Sequence, residues 1–345
     1  MGLLKKFIVL LITIQIGSFF CSAQSYQNKP SKKDKKYERN YASLSSKLDK
    51  ERIRRGVYYL SEDPLPRRVL NYSLPGHSLS TLEEADEWLI QQLKSYGYKP
   101  VTDETKVRAF ARDFSKPLSQ QYAKPADDAP WYIARNIIAE LGGKKYPDDL
   151  IIIIAHKDSQ SWIASPGAND DAIGTCGALE LAILLRHYKP DYTIKFIFCN
   201  EEHTPWTSIT AAKNIKAANL NVLALINVDG IGVKAPQPAG IYKNVTRYTT
   251  PEGERLADLM AELNEHHILG LVQTKFRSPR PSDDDGSFIN AGFPWSVRNA
   301  GSIPNAHPDY HTEGDTADKV DYENAVLTVK LTLAAILHLD IYGRP

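Results

Sequence analysis

Two adjacent glutamates, Glu201 and Glu202, follow the run TIKFIFCN, whose apolar residues read as a buried strand interrupted by Lys195 alone. Neighbouring carboxylates repel, and the end of a buried strand is a costly place to leave them without a counter-charge. The placement recurs along the chain. IIIIAH ends in His156 with Asp158 two residues on, the next loop carries PGANDD with Asp170 and Asp171, and LALINV leads into Asp229. Downstream, PNAHPDYHTEGDT offers His307 and His311. Taken singly these residues are ordinary: a lone histidine after a strand is usually a surface or capping group, and aspartates in such a loop usually form turns. Together they are a set of like charges that a divalent cation would neutralise. Mixed imidazole and carboxylate donors favour zinc over calcium, which takes oxygen ligands alone. His77, His187, His203, His266, His267 and His338 lack such a setting and read as structural or exposed.

The elements that must position these groups alternate. STLEEADEWLIQQLKSYGYKP has a capping pair at Ser80 and Glu83, or Thr81 and Glu84, and Leu82, Ala85, Leu89 and Leu93 at helical spacing. ARNIIAEL (134–141) and DLIIIIAH (149–156) read as strands, the second covered on both faces. A helix over 173–188, the strand TIKFIFCN, the helix SITAAKNIKAA, the strand VLALINVD, a helix over 251–267 and a closing helix YENAVLTVKLTLAAILHLD follow. This order predicts an α/β fold, a three-layer sandwich around a mostly parallel mixed sheet. In such sheets ligands bind beyond the carboxyl ends of the strands, where all these polar residues fall.

The totals set wider bounds. With 345 residues, 42% hydrophobic, and a formal net charge of +1, the chain can bury a large core and does not have the charge of a nucleic-acid binder. MGLLKK, FIVLLITIQIGSFF and CSAQ have the layout of a signal peptide over 1–23, cleaved after Ala23, so export to a periplasm or beyond is expected. The apolar run is short for a membrane span, and Phe20 stands before Cys21 where a lipoprotein signal wants a small residue. Residues 24–50 are lysine-rich and read as a polar, mobile segment, with a single catalytic domain over 51–345. Cys176 and Cys199 fall in apolar contexts and read as buried free thiols.

AHKDS, PGANDD, NEE, INVD and YHTEGDT, in that order, resemble the pattern of the co-catalytic di-zinc exopeptidases of the bacterial leucyl aminopeptidase type, over roughly 80–340. That resemblance implies the zinc-exopeptidase fold and two zinc ions per chain, bridged by Asp170. His156 and Asp229 would complete one site, and Glu202 and His311 the other, the HT and DT frame favouring His311 over His307. It further implies that Asp158 orients His156, that Glu201 serves as general base toward a water shared by the metals, and that a peptide is the substrate.

The chain also departs from that pattern. HTPWTS stands where a GLxGS-like run usually follows the glutamates, and SDDDGSFINAGFP places Asp285 where histidine is common. Lys157 could tune the rim, and Trp162, Trp206 and Trp295 could shape a pocket or simply pack. Related carboxypeptidases grip a terminal carboxylate with arginines, a role open to Arg277, Arg280 and Arg298. Glutaminyl cyclases share the fold and carry an acidic residue at the place of Asp284, but resemble WHTxDD where this chain has YHTEGDT. A binding module on an inactive scaffold is the alternative of a different class; such relatives lose ligands or the base, all present here.

Overall fold

The computed structural model describes residues 30–232, 238–302 and 307–345. The expected signal peptide, Ala23 and Cys21 lie outside the described residues. In chain order the helices are α1 (Lys32–Ser45), α2 (Lys50–Ser61), α3 (Thr81–Ser95), α4 (Ile173–Leu185), α5 (Thr207–Ala217), α6 (Pro251–His266), α7 (Asp283–Ala291) and α8 (Tyr322–Tyr342). The strands are β1 (Val101–Ala109), β2 (Ala111–Arg112), β3 (Tyr122–Ala123), β4 (Tyr132–Leu141), β5 (Tyr146–His156), β6 (Tyr192–Cys199), β7 (His203–Thr204), β8 (Asn221–Val228), β9 (Tyr242–Tyr248), β10 (Leu271–Arg277) and β11 (Ser296–Ala300).

The main sheet runs β10-β9-β11-β8-β5-β6-β4-β1-β7. Its centre is parallel: β11 on β8, β8 on β5, and β5 on β6. Antiparallel pairs flank that centre, β6 with β4 and β4 with β1 on one side, β11 with β9 on the other. The four consecutive isoleucines of β5 alternate between two cores. Ile151, Ile153 and Ala155 face one with α4 and α8, while Leu150, Ile152 and Ile154 face the other with α5 and Phe288. Period-two alternation of an unbroken apolar run is what a strand sandwiched between helical layers requires. The three-layer sandwich expected from the order of elements is therefore the observed fold. α8 is apolar and long enough to cross a membrane, but 78% of its most apolar window is buried inside the protein, as in a core helix.

The start of the described chain differs from the sequence expectation. Residues 32–45 are not a mobile tail but α1, capped by Ser31 and Asp34 and docked on the rest of the fold. Tyr37 and Tyr41 are buried, and Leu44 and Leu48 pack against the same core. Tyr37 hydrogen-bonds His267 at 2.7 Å, and the Tyr41 ring stacks on His267 with centroids 3.6 Å apart. Two tyrosines and two leucines at helical spacing make a narrow stripe that lysine-rich composition hides. The strands β1, β9, β10 and β11 and the helix α7 also went unread, being short or largely polar.

Docking of α1 gives a stability test. Tyr37→Ala should lower the unfolding free energy by about 3 kcal/mol, read as a shift in the urea midpoint. An unchanged midpoint would mean that α1 contributes nothing to the folded core.

Candidate metal centre

Each central parallel strand delivers a polar group to one rim. His156 ends β5, Glu201 and Glu202 follow β6 just past the His156–Cys199 register pair, and Asp229 follows β8. Asp170 comes from the loop into α4, and His311 from the loop after β11. All five expected ligands meet. Asp170 lies between two imidazoles: Oδ1 is 3.0 Å from His156 Nε2, and Oδ2 is 3.1 Å from His311 Nε2. Glu202 Oε1 is 3.4 Å from His311 Nε2, and Asp229 Oδ1 is 3.8 Å from His156 Nε2. His307 is buried nearby, but its Nδ1 accepts from the Asp309 backbone N–H at 3.1 Å, and no ion pair joins it to the cluster among the described residues.

The histidine tautomers explain why this set needs a cation. His156 Nδ1 faces the Asp158 carbonyl oxygen at 3.1 Å, and His311 Nδ1 faces the Ser119 carbonyl oxygen at 2.9 Å. A carbonyl only accepts, so each Nδ1 carries the proton and each neutral Nε2 offers a lone pair. Those lone pairs point at carboxylate oxygens, an arrangement that is favourable only with a proton or a metal between them. Burial disfavours a charged His311, yet Glu202 and Asp170 outweigh it and push the ring up to about 10. Burial likewise opposes charge on His156, but Asp158 and Asp170 hold it well above the usual histidine range. For Asp170 burial opposes ionisation, and contacts with His156 and His311 overcome it, so its carboxyl is lowered. Asp229 Oδ1 is buried without a hydrogen-bond partner among the described residues. The donors present fit a divalent metal with mixed imidazole and carboxylate ligands.

Glu201 differs from its neighbour. It is partly exposed, and its Oε2 has no hydrogen-bond partner among the described residues. Burial, then the charges of Asp283 and Asp284, raise its carboxyl well above the usual range. It lines a cavity of about 370 Å³ with Phe110, Tyr122, Trp162, Trp206 and Tyr310 on the walls. Lys157 does not reach the rim; it is buried and turned to Asp86 at 2.7 Å and Asn200 at 2.8 Å. Trp295 is not at the cavity either, and stacks against Arg344 at 4.9 Å.

Several buried groups hold the loops in place, and sequence reading passed over most of them. The Asp158 carboxylate accepts from the Glu201 and Glu202 backbone N–H groups, both at 2.9 Å, and from His203 Nδ1 at 2.8 Å. It thus holds the paired glutamates as well as standing beside His156, 3.4 Å from its Nδ1. His203, read as structural or exposed, is buried within this bracing, with Leu70 N–H donating to its Nε2 at 3.3 Å. Asp315 accepts from the N–H groups of Asn169 and Asp170 at 2.9 and 3.0 Å, joining the Asp170 loop to the His311 loop. Asp171 accepts from Gly174 and Gly230 at 2.9 and 3.1 Å. A side chain at Gly174 would place its Cβ 2.0 Å from the Val228 carbonyl oxygen, so only glycine lets α4 approach β8 there. Arg68, fully buried, donates to the carbonyls of Lys157, Pro166 and Gly167 at 2.6 to 2.8 Å. Gln160 Nε2 donates to Asp170 at 2.9 Å and to Glu202 at 3.2 Å. For Asp158, Gln160, Asp171 and Asp315 the sequence signals are the polar residues inside HKDSQ, PGANDD and HTEGDT, which in sequence look like turn formers.

A second charged layer comes from α7. Arg298 Nε stands 3.0 Å from Asp229 Oδ2, and Arg298 Nη1 donates to Asp283 at 2.5 Å. Arg247 also bonds Asp283 and donates to Asp285 at 2.7 Å. Asp284 accepts from the Cys199 thiol at 2.9 Å, and burial pushes its carboxyl up to about 6. Cys176 and Cys199 are buried and unpaired.

Comparison with known proteins agrees with this picture. The sequence model of Peptidase family M28 matches residues 136–336. A protein named "Probable zinc metalloprotease" from Pyricularia oryzae is 27% identical over 334 residues, covering 79% of this chain and 63% of its own length. The chain therefore spans less than two thirds of that relative. Among solved structures, the LapA aminopeptidase of Legionella pneumophila aligns with a TM-score of 0.66 at 19% identity, covering 88% of this chain and 75% of its own. A glutaminyl cyclase of Bacteroides thetaiotaomicron aligns with a TM-score of 0.62 at 17% identity, covering 84% and 98%. At these identities the structural likenesses speak for the fold.

The bracing by Asp158 can be tested apart from any activity. Asp158→Asn keeps the shape but turns an amide toward N–H donors, and should cost about 2–3 kcal/mol of stability. Misplacing His156 and Glu202 should also weaken binding of zinc ion about 10- to 100-fold in chelator competition. Unchanged stability and affinity would remove Asp158 from this role.

Proposed function

The chain belongs to peptidase family M28, and from that premise we propose that it is a zinc-dependent exopeptidase that removes residues from the amino-terminal end of peptides. The observation that carries the reading is Asp170 held between His156 Nε2 and His311 Nε2, with Glu201 beside it and its Oε2 unpartnered. Glu202 and His311 with Asp170 would hold one zinc ion. A second, the count implied by the resemblance, would use His156, Asp170 and Asp229, where it competes with Arg298 for Asp229. Bound zinc supplies Lewis-acid polarisation of a scissile carbonyl and a more acidic water.

The protein's own groups account for the rest. Glu201 Oε2 would take a proton from the attacking water and return it to the leaving amine. The aromatic walls receive an apolar side chain of the substrate. Glu201 and Glu202 line the same cavity and favour a free ammonium over a blocked amine, while Asp283 there is already paired with Arg247 and Arg298. The arginines do not form a carboxylate clamp. Arg298 is committed to Asp229 and Asp283, Arg277 is not among the cavity residues, and only Arg280 stands exposed at the wall. This favours an aminopeptidase over a carboxypeptidase. The complete ligand set and Glu201 also weigh against a binding module that has lost its chemistry. Cyclisation of an N-terminal glutamine is the second reading, supported by the buried Asp284 beneath Glu201. Export through residues 1–23 is part of the proposal, resting on their sequence layout alone.

Free and N-blocked aminoacyl nitroanilides, with an N-terminal glutamine peptide alongside, separate these readings. Cleavage of free substrates only is expected; equal cleavage of blocked ones would sink the aminopeptidase assignment, and ring closure without hydrolysis would replace it with the cyclase. Glu201→Gln should lower kcat by about 10²- to 10⁴-fold with zinc content unchanged.

A further inference from the structure

We propose that the groove between α5 and α7 binds the part of the peptide downstream of the scissile bond and selects acidic side chains there. The inference rests on the aminopeptidase reading above and adds the class of substrate. The groove holds about 560 Å³. Trp206, Ile209, Lys213 and Lys216 line it from α5 and its cap, at a spacing of three, four and three that puts them on one stripe of the helix. Ser287 and Asn290 of α7 line the opposite side. HTPWTS, where the sequence leaves the family pattern, supplies Trp206 and the start of α5. The groove is continuous with the catalytic cavity, because Trp206, Arg280 and Ser282 line both. A peptide whose first residue occupies the cavity can therefore continue past Trp206 into the groove.

The two ends of this space differ in the sign of their charge. Asp170, Glu201, Glu202 and Asp229 line the cavity end. The groove has Lys213, Lys216 and Arg280, and none of the described residues that line it is acidic. Asp283, which lines the cavity at the start of α7, is paired with Arg247 and Arg298. Lys216 Nζ donates to the Ala291 carbonyl oxygen at 2.8 Å, which holds its charge at the end of α7. Lys213 and Arg280 are exposed, and neither enters an ion pair among the described residues. One unpaired surface lysine is ordinary. A cleft lined by cations alone concentrates positive potential, and here it opens into a catalytic cavity.

The cations are strung out rather than convergent. Measured along α5, Lys213 lies about 10 Å and Lys216 about 15 Å beyond Trp206. An extended peptide advances about 3.3 Å per residue, so Lys213 stands about three residues past Trp206. Arg280 stands at the junction itself. Recognition of a single chain terminus calls for donors that meet at one point. Cations spaced along the path suit carboxylates on successive side chains. An ammonium at the acidic end and carboxylates at the basic end also run the peptide in the direction that an aminopeptidase needs.

The test compares kcat/KM for release of leucine from amidated tetrapeptides by the full-length, zinc-loaded protein. Leu-Asp-Ala-Ala is set against Leu-Asn-Ala-Ala, and Leu-Ala-Asp-Ala against Leu-Ala-Asn-Ala. Aspartate should be favoured over asparagine about 5-fold at low salt, and the preference should fade at about 0.5 M salt. Lys213→Glu and Arg280→Glu should bring the ratio below one, Arg280→Glu mainly at the second position and Lys213→Glu mainly at the third. Mere structural damage would slow both members of a pair alike, so a folded variant that keeps the original ratio overturns the inference. Leu-Ala-Ala-Ala as free acid and as amide supplies a further arm. Preference for the acid without preference for aspartate would assign the groove to a chain terminus and refute the side-chain assignment. Cleavage of every peptide with ratios near one would overturn the inference and leave the aminopeptidase reading standing; no leucine released from any peptide would overturn both.

Discussion

The contact on which this structure turns is the clasp of one carboxylate, Asp170, between the Nε2 atoms of His156 and His311. The Nδ1 protons of both rings are already given to carbonyls, so their lone pairs meet an anion in a dry interior. No rearrangement of neutral groups satisfies that geometry; it calls for positive charge. Burial of Glu202 and Asp229 at the same rim deepens the demand. Next to this rim the fold itself supplies cations, the arginines of β9 and β11.

Such a cluster would spread apart if each ligand relied on its own loop for position. Here the loops are tied to one another by buried carboxylates that are not themselves placed to ligate. Asp158 joins the end of β5 to the glutamates after β6, Asp171 joins the start of α4 to the residue after Asp229, and Asp315 joins the His311 loop to the Asp170 loop. Arg68 collects the carbonyls left over around Pro166 and Gly167. Each acceptor bonds backbone N–H groups, so it fixes main chain rather than side-chain rotamers, and the ligand atoms inherit their separations from the sheet. This is how a site can be preorganised before any ion arrives.

What the sequence made legible follows from the same physics. The apolar strands of the parallel centre announce themselves because both faces are covered, and the residues just beyond them identify the rim; that is why His156, Glu201, Glu202 and Asp229 could be read directly. Asp170 and the choice of His311 over His307 rested on the family resemblance, since their loops carry no periodic pattern. The bracing roles of Asp315, Arg68, Gln160 and His203 were not legible, because each partner lies far along the chain and a polar residue in a loop looks the same whether it faces water or a backbone amide. The helix α1 was hidden for a related reason: its lysines dominate the composition, while Tyr37, Tyr41 and Leu44 form the face that docks.

Arg298 shows the limit most clearly. In sequence it is one arginine in a short strand, SVRNA, and the open question was whether it grips a substrate carboxylate. In the fold the strand is parallel to β8, so its side chain arrives at the same height as Asp229 and is neutralised there. A guanidinium on a central strand is a cation that cannot exchange, and its presence changes what the neighbouring carboxylate can do. Asp229 is left with Oδ2 facing the arginine and Oδ1 facing His156. Asp170, Glu202 and His311 line the same cavity as Trp162, Trp206 and Asp283 of α7. Glu201 thus stands between two kinds of surroundings: polar groups set by the ends of the parallel strands, and cavity walls supplied by Trp206 and by α7, where the sequence departs from the family pattern.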